Sequence, residues 1–377
     1  MSFDALQSPS RTTYSKTVHV PHSTSIFTSK TESVFQKPLG INCIGFAYNA
    51  RPDVSTPLSN SVALEYDEAE TIEAIQSALN SWGFEVELLP VNCDFIEALK
   101  TRSVDFVFNI AEGIRGESRE SHIPAILEML GIPYTGSGVL TQALTLSKSR
   151  TKEILGFYHI PTPRYQVFRA PSDLLGPLMK FPLIIKPDAQ GSSAGITNRS
   201  VVHSLDELRA QTHWVFQEFG APVLVEEFLP GKEFTVGILG NDPPLVLPII
   251  EVNFNHLPPG YAKIDSYESK WTYDVPGQGA TPLTCPANIS EKLRQEIERI
   301  ALKTYKALDC VDLCRMDIRL SKRGVPNVLE INALPGLNPN PEFHSRFPYA
   351  CEVAGLSYSQ MIKMILYSAL KRYNLVQ

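Results

Sequence analysis

The segment Cys314–Asn332, CRMDIRLSKRGVPNVLEIN, reads as two extended runs joined by a turn centred near Arg323-Gly324, the pattern of a β-hairpin. In a register symmetric about that turn, Asp317 faces Glu330 and Arg315 faces Asn332. The two-residue period of a strand puts all four side chains on one face. Carboxylates directly opposite one another stand about 5 Å apart and repel. A Mg²⁺ ion between them converts that repulsion into binding, with Asn332 supplying a further oxygen. A solvated hairpin whose acidic residues face water fits the same spacing. Met316, Ile318, Leu329 and Ile331 fall on the other face and are expected in the core, and Pro326, with no N–H to donate, is a point at which the register can shift.

Upstream, Phe181–Gly195 (FPLIIKPDAQGSSAG) is a buried strand ending in Lys186-Pro187 and a loop of small residues. Such a loop lets backbone N–H groups at Gly191, Ser192 and Ser193 close over phosphate oxygens, with Lys186 as a point charge; a flexible surface turn reads the same way. Val223–Phe234 (VLVEEFLPGKEF) is a strand ending in Glu226-Glu227. Its backbone suits the edge of an adenine ring and a carboxylate suits ribose hydroxyls, while an alternating strand with one wet face explains the two glutamates equally well.

Toward the amino end, Ile41–Tyr48 (INCIGFAY) reads as a buried strand and Thr71–Trp82 as an amphipathic helix with Ile72, Ile75, Leu79 and Trp82 on one side. Phe84–Leu88 is a second strand, Asp94–Thr101 a short helix and Val104–Asn109 a third strand. Strand and helix in alternation make an α/β chain with a doubly wound parallel sheet. The long loop Asn49–Glu70 sits at the carboxyl end of the first strand, where such sheets place ligands. Its acidic run Asp67-Glu68-Ala69-Glu70 also suits the positive end of the helix that follows. Later strands are expected at Leu245–Val252, Asp312–Leu320 and Asn327–Ile331, and helices from Lys148, at Ser290–Leu308 and at Ser357–Tyr373. The division that follows is a flexible extension (1–37), an amino-terminal α/β domain (38–147), a central unit (148–233) and a carboxyl-terminal α+β unit (234–377).

Composition bounds the function. The 377 residues are 43% hydrophobic and 20% charged, which excludes wholesale disorder. With 34 Lys and Arg against 40 Asp and Glu, the net charge of −6 lacks the basic face that non-specific nucleic-acid binding requires. Cys43, Cys93, Cys285, Cys310, Cys314 and Cys351 form no CxxC and have no histidine nearby to complete a zinc set. They are expected reduced and mostly buried. No apolar run reaches the roughly 20 residues of a membrane span, and the amino end has no hydrophobic signal core. A transit peptide is poorly matched, since Asp4 and Glu32 are acidic and arginine is scarce there. These features point to the cytoplasm, with neither membrane nor nucleic acid as partner.

Taken in order, the motifs carry a resemblance. They are Phe108-Asn109 with Glu112-Gly113 and Gly116-Glu117, Gly131-Ile-Pro-Tyr-Thr-Gly-Ser137, Lys148 with Thr151-Lys152, and Lys186-Pro187 with Gly191-Ser192-Ser193. Glu226 with Gly231 and Glu233, Glu330-Ile-Asn332 and Pro335-Gly336 complete the set. From Val104 to the carboxyl end the chain resembles the D-alanine–D-alanine ligases of the ATP-grasp superfamily. That resemblance implies an ATP-grasp fold behind a parallel-sheet domain, and an ATP- and Mg²⁺-dependent ligase (Mn²⁺ being the alternative cation) that joins two amino-acid-like substrates through an acyl phosphate. By the same resemblance, Lys148 and Lys186 contact ATP phosphates beneath the Gly191–Ser193 loop. Glu226, Glu227, Phe228 and Leu229 hold adenine, Glu233 the ribose, and Asp317, Glu330 and Asn332 the metal. Arg315, Gly336, Ser192 and Lys270 serve the reacting centre, the last from a lid at Gly260–Gly279. A homodimer is also implied.

Two departures stand out. The family's substrate-gripping Glu of its first loop is replaced by Tyr48-Asn-Ala-Arg-Pro-Asp-Val-Ser55, leaving Asp53, Glu65, Asp67, Glu68 and Glu70 as substitutes. After Gly336 the substrate-binding Ser gives way to a longer stretch in which Ser345 or Arg346 is the replacement. The alternatives are therefore a true D-alanine–D-alanine ligase, a ligase for another amino acid or a specialised metabolite, and a non-catalytic ATP-binding module acting through a partner.

Overall fold

The computed structural model describes residues 37–38, 40–52, 65–274, 282–343 and 345–376. Most of the amino-terminal extension, Asp53 and residues 275–279 of the expected lid lie outside them. The first layer alternates β1 (Cys43–Tyr48), α1 (Ala69–Ser81), β2 (Glu85–Pro90), α2 (Phe95–Thr101) and β3 (Phe106–Asn109), with all pairs parallel and β1 in the middle. Ile72, Ile75 and Leu79 of α1 are buried against this sheet, as their spacing requires. Three helices follow: α3 (His122–Leu130), α4 (Val139–Leu146) and α5 (Lys148–Phe157).

The second sheet is antiparallel. It contains β4 (Tyr165–Phe168), β5 (Leu183–Pro187), β6 (Val201–Val202) and, after α6 (Leu205–Phe219), β7 (Val223–Glu227), in the order β4-β7-β5-β6. Leu208 and Val215 of α6 pack on Ile185 and Val225. Ser204 caps α6 by accepting from Glu207 N at 3.2 Å.

The third sheet carries the decisive hairpin. Its strands are β8 (Glu233–Leu239), β9 (Leu245–Val246), β10 (Ile250–Val252), β11 (Leu283–Thr284), then, after α7 (Glu291–Ala307), β12 (Leu313–Leu320) and β13 (Pro326–Asn332). The order is β11-β10-β8-β12-β13, with β9 also on β8. Two expectations are corrected here. Leu245–Val252 is not one strand: Pro248 interrupts it, and Leu247 and Ile249 instead bond to Gly237 and Ala287. The hairpin register holds for Arg315↔Asn332 and Asp317↔Glu330, then slips so that Ile318 faces Val328. Leu329 is the extra residue of a β-bulge, and it lines the cleft rather than the core. The slip occurs at Leu329, not at Pro326.

The chain closes on itself through α8 (Arg346–Val353) and α9 (Tyr358–Arg372). Apolar residues of α9 join one core with β1, α1 and β3 of the first sheet, while Leu155 of α5 and Ile160 join the core of the third. All six cysteines are free, but only Cys310, Cys314 and Cys351 are buried. No helix among the described residues is long and apolar enough to cross a membrane.

Asp312 ties these layers together. It is fully buried and accepts from Gly136 N at 2.9 Å, Asn241 Nδ2 at 2.7 Å and Arg372 Nη2 at 2.8 Å. Its backbone lies at φ 66°, a conformation that asparagine also tolerates. Asp312→Asn keeps that turn but leaves Arg372 without its counter-charge, at a cost on the order of 3 kcal/mol. A fall of several degrees in Tm is the expected result in differential scanning calorimetry, and an unchanged Tm shows that the pair carries no stability.

Candidate active site

The cleft lies between the second and third sheets, and its floor is the inner face of β12 and β13. Asp317 is buried beside Thr235, whose hydroxyl donates to its Oδ1 at 2.5 Å, with Arg315 Nη2 at 3.5 Å from its Oδ2. Arg346, the first residue of α8, reaches Asp317 Oδ1 at 3.6 Å and Asp265 Oδ2 at 2.8 Å. Burial alone raises the Asp265 carboxyl, but Arg346 and Lys270 outweigh it and hold the group below its usual range. Glu330 shows the same balance, with Lys148, Lys186 and Arg315 prevailing over burial.

The opposing wall supplies lysines. Asp188 fixes the start of α5 by accepting from Ser147 Oγ at 2.6 Å and Ser149 N at 2.7 Å. This aims Lys148, whose Nζ donates to Gln190 O at 2.5 Å and lies 3.5 Å from Glu330 Oε2. Lys186 on β5 meets Glu226 Oε1 at 3.2 Å, and Lys152, one turn after Lys148, meets Glu226 Oε2 at 2.7 Å and Thr162 Oγ1 at 2.7 Å. Two ammonium groups therefore hold the Glu226 carboxylate below its usual range despite its burial. Its side chain is engaged by lysines, while Glu227 alternates to the other face of β7.

At the inner end of the cleft, Arg319 donates to Glu233 Oε2 at 2.7 Å, to Leu229 O at 2.6 Å and to Lys263 O at 2.6 Å. Its guanidinium lies 5.0 Å from the Phe228 ring. One buried arginine thus fixes the strand end, the carboxylate and the segment that roofs them. The cleft here holds about 640 Å³, counting its open mouth.

The Gly191–Ser193 loop is latched from three sides. Gly191 N donates to Glu65 Oε1 at 2.7 Å, and a Cβ at Gly191 would collide with that carboxylate. Ser193 Oγ donates to Asp265 O at 2.7 Å, and Trp271 Nε1 donates to Ser192 O at 3.3 Å. Ser192 and Ser193 adopt φ of 49° and 61°, left-handed values that serine rarely takes. The loop is thus bonded at both ends of residues 265–271 of the expected lid. Lys270 stands in the same cleft, and burial lowers its ammonium.

A second, outer chamber continues past Arg315, Asn332 and Gly336 to an acidic wall. Arg119, 1% exposed, is 2.5 Å from Glu65 Oε2, and Arg51 pairs with Glu68. Glu112 and Glu120 lie together, and burial raises both carboxyls, Glu120 to about 8. Burial raises Asp67 to about 7. Ser345, set against Gly336 O at 3.1 Å, and Arg346 both line this chamber.

Nearly every residue expected from the sequence stands around these two chambers. Arg319, Asp265, Thr235 and the Arg119–Glu120 pair did not emerge from the sequence. Arg319 continues the alternation of Arg315 and Asp317, a signal that was present; Arg119 and Glu120 carry none, because only the fold brings them to Glu65.

A cleft between two antiparallel sheets, roofed by a latched small-residue loop, defines an ATP-grasp protein. Comparison with known proteins agrees. Residues 159–367 match the family described as D-ala D-ala ligase C-terminus. An uncharacterised protein, y4sG, of Sinorhizobium fredii is 34% identical over 316 residues, covering 82% of this chain and 90% of its own. A D-alanine–D-alanine ligase of Pelotomaculum thermopropionicum is 32% identical over 312 residues, covering 80% and 92%. The crystal structure of D-alanine–D-alanine ligase from Bacillus anthracis complexed with ATP superposes with a TM-score of 0.67 at 26% identity, over 89% of this chain and 98% of that one. The chain belongs to the D-alanine–D-alanine ligase family, ATP-dependent ligases that form C–N bonds.

The acidic wall has a consequence for stability. A carboxyl whose folded pKa is raised from 4.5 to about 8 favours the native state while protonated, and that contribution is lost as the pH climbs through about 8. Glu120→Gln, neutral throughout, is expected to match the wild-type Tm near pH ~4 and to exceed it by several degrees near pH ~9 in thermal melts. No gain at the higher pH would mean that Glu120 ionises without penalty.

Proposed function

We propose that the protein phosphorylates the carboxylate of one amino-acid-like substrate with ATP and passes the acyl group to the amine of a second, releasing ADP and phosphate. The observation that carries this reading is the pairing of Arg315 with Asn332 and of Asp317 with Glu330 across one hairpin, faced by Lys148. A nucleotide-binding module alone has no use for an arginine beside the metal-type carboxylates.

The donor set suits Mg²⁺. Asp317 and Glu330 offer hard oxygens, and the buried Asn332 Nδ2 has no partner, leaving its amide free to turn its oxygen inward. Mn²⁺ is served by the same ligands. A bound Mg²⁺ supplies charge neutralisation at the phosphates. The chain's own groups do the rest. Lys148 and Lys186 hold phosphate oxygens beneath the Gly191, Ser192 and Ser193 loop, so that an anionic carboxylate can approach the triphosphate. Glu226, with Lys152, keeps Lys186 in place, and the backbone from Glu227 through Phe228 to Leu229 takes the adenine edge. Glu233 takes the ribose. Arg315 and the backbone at Gly336 stabilise the oxyanion formed when the amine attacks. Lys270 and Trp271, on the segment latched to Ser192, exclude water that would hydrolyse the acyl phosphate.

We take the three sheets as cores of units divided near 147/148 and 233/234. Six free cysteines support a reducing compartment, the cytoplasm.

Phosphate release from ATP and Mg²⁺, screened over D- and L-amino-acid pairs with product masses, tests the reading. Asp317→Asn and Glu330→Gln are each expected to lower kcat at least about 100-fold with the circular dichroism spectrum unchanged. Near-normal turnover in both removes the metal assignment. Arg319→Ala, which frees Glu233 and Leu229 O, is expected to raise the KM for ATP about tenfold while changing kcat less.

A further inference from the structure

One wall of the outer chamber gathers more carboxyl groups than its cations answer. Its acidic wall gathers Glu65, Asp67, Glu68, Glu112 and Glu120. The nearby cations are committed: Arg119 to Glu65, Arg51 to Glu68 while also facing Asp67, and Lys148, which faces Glu120, to Glu330 and Gln190 O. Five carboxylates against two guanidinium groups leave three. Those three, Glu112, Glu120 and Asp67, are the ones that burial pushes up, so they hold protons until a cation takes their place; with one proton kept between the adjoining Glu112 and Glu120, there is room for two cations.

A second observation marks the same wall as a binding surface. Thr71 lines it, is 1% exposed, and its hydroxyl has no hydrogen-bond partner. A buried hydroxyl left so is costly unless something accepts or donates there. A hydroxyl and a carboxylate both accept from an ammonium group, so the cation that this wall suits is an organic ammonium. The far end of the chamber is cationic, with Arg315, Lys270 and Arg346, and suits the carboxylate of the same molecule.

We propose that the carboxylate substrate is a diamino acid, its two ammonium groups seated against the Glu112–Glu120 pair and against Asp67 with Thr71. This rests on the ligase reading above. A mono-amino acid such as alanine brings one ammonium and leaves the second carboxyl protonated and out of contact with it. A diamino acid matches both and leaves its carboxylate at Arg315. Glu112 and Glu120 are then the residues that set specificity.

The test is phosphate release by the full chain with ATP and Mg²⁺. The acids compared are 2,3-diaminopropionate, 2,4-diaminobutyrate, ornithine and lysine against alanine and glycine, in both D and L forms. One diamino acid is expected to exceed alanine in kcat/KM by at least about tenfold. Glu120→Gln and Glu112→Gln are expected to lower that ratio at least about fivefold, chiefly through the KM of the diamino acid. An ATP-induced rise in melting temperature establishes that each variant is folded. If neither variant folds, the wild-type ratio decides alone. Preference for alanine or glycine, or an equal loss for all acids in the variants, overturns the diamino assignment and leaves the ligase reading standing. No phosphate release with any acid overturns both.

Discussion

Carboxylates stand along one face of the third sheet, at Glu233, Asp317 and Glu330, and burial there is tolerable only if each meets a cation. None of the three is satisfied within its own strand alone. Glu233 is answered by Arg319 across the β8–β12 pairing, Asp317 by Arg315 and by Arg346 from α8, and Glu330 by Lys148 from α5. Glu226 on the facing sheet repeats the rule with Lys152 and Lys186. The need to neutralise these groups draws α5, α8 and two sheets around one cleft. The residues that hold the fold together there are also the ones proposed above to hold the triphosphate.

Charge is distributed along the cleft rather than averaged. Lysines crowd the inner cleft around Glu226 and Glu330, Arg315 and Arg346 stand at the junction, and carboxyls raised by burial line one wall of the outer chamber. Glu226, Asp265 and Glu330 are held low by cations, whereas Glu112, Glu120 and Asp67 are pushed up by burial, as is Glu233 despite Arg319. A net charge of −6 says nothing of this polarity. The loop at Gly191 spans both regions, since its backbone bonds Glu65 on one side while Ser193 bonds the Asp265 carbonyl on the other.

Much of this was legible in the linear chain. Strand periodicity placed Arg315, Asp317, Glu330 and Asn332 on one face, and the turn at Arg323-Gly324 set their register, because both are local properties of a hairpin. The same reasoning misjudged Leu329, since a bulge changes facing without changing composition. It left Glu226 undecided, because a glutamate on an alternating strand looks alike whether water or two lysines lie beyond it. It passed over Arg119 and Glu120, which matter only through contact with residues far away in the chain.

The sequence by itself therefore determined the α/β alternation, the hairpin and the family, all of which rest on spacing between near neighbours. Only the tertiary structure decided which carboxylates meet a cation and which are instead pushed up by burial. That depends on which cation arrives from a distant segment, and the distance between Glu65 and Arg119, or between Asp312 and Arg372, is written in no local pattern.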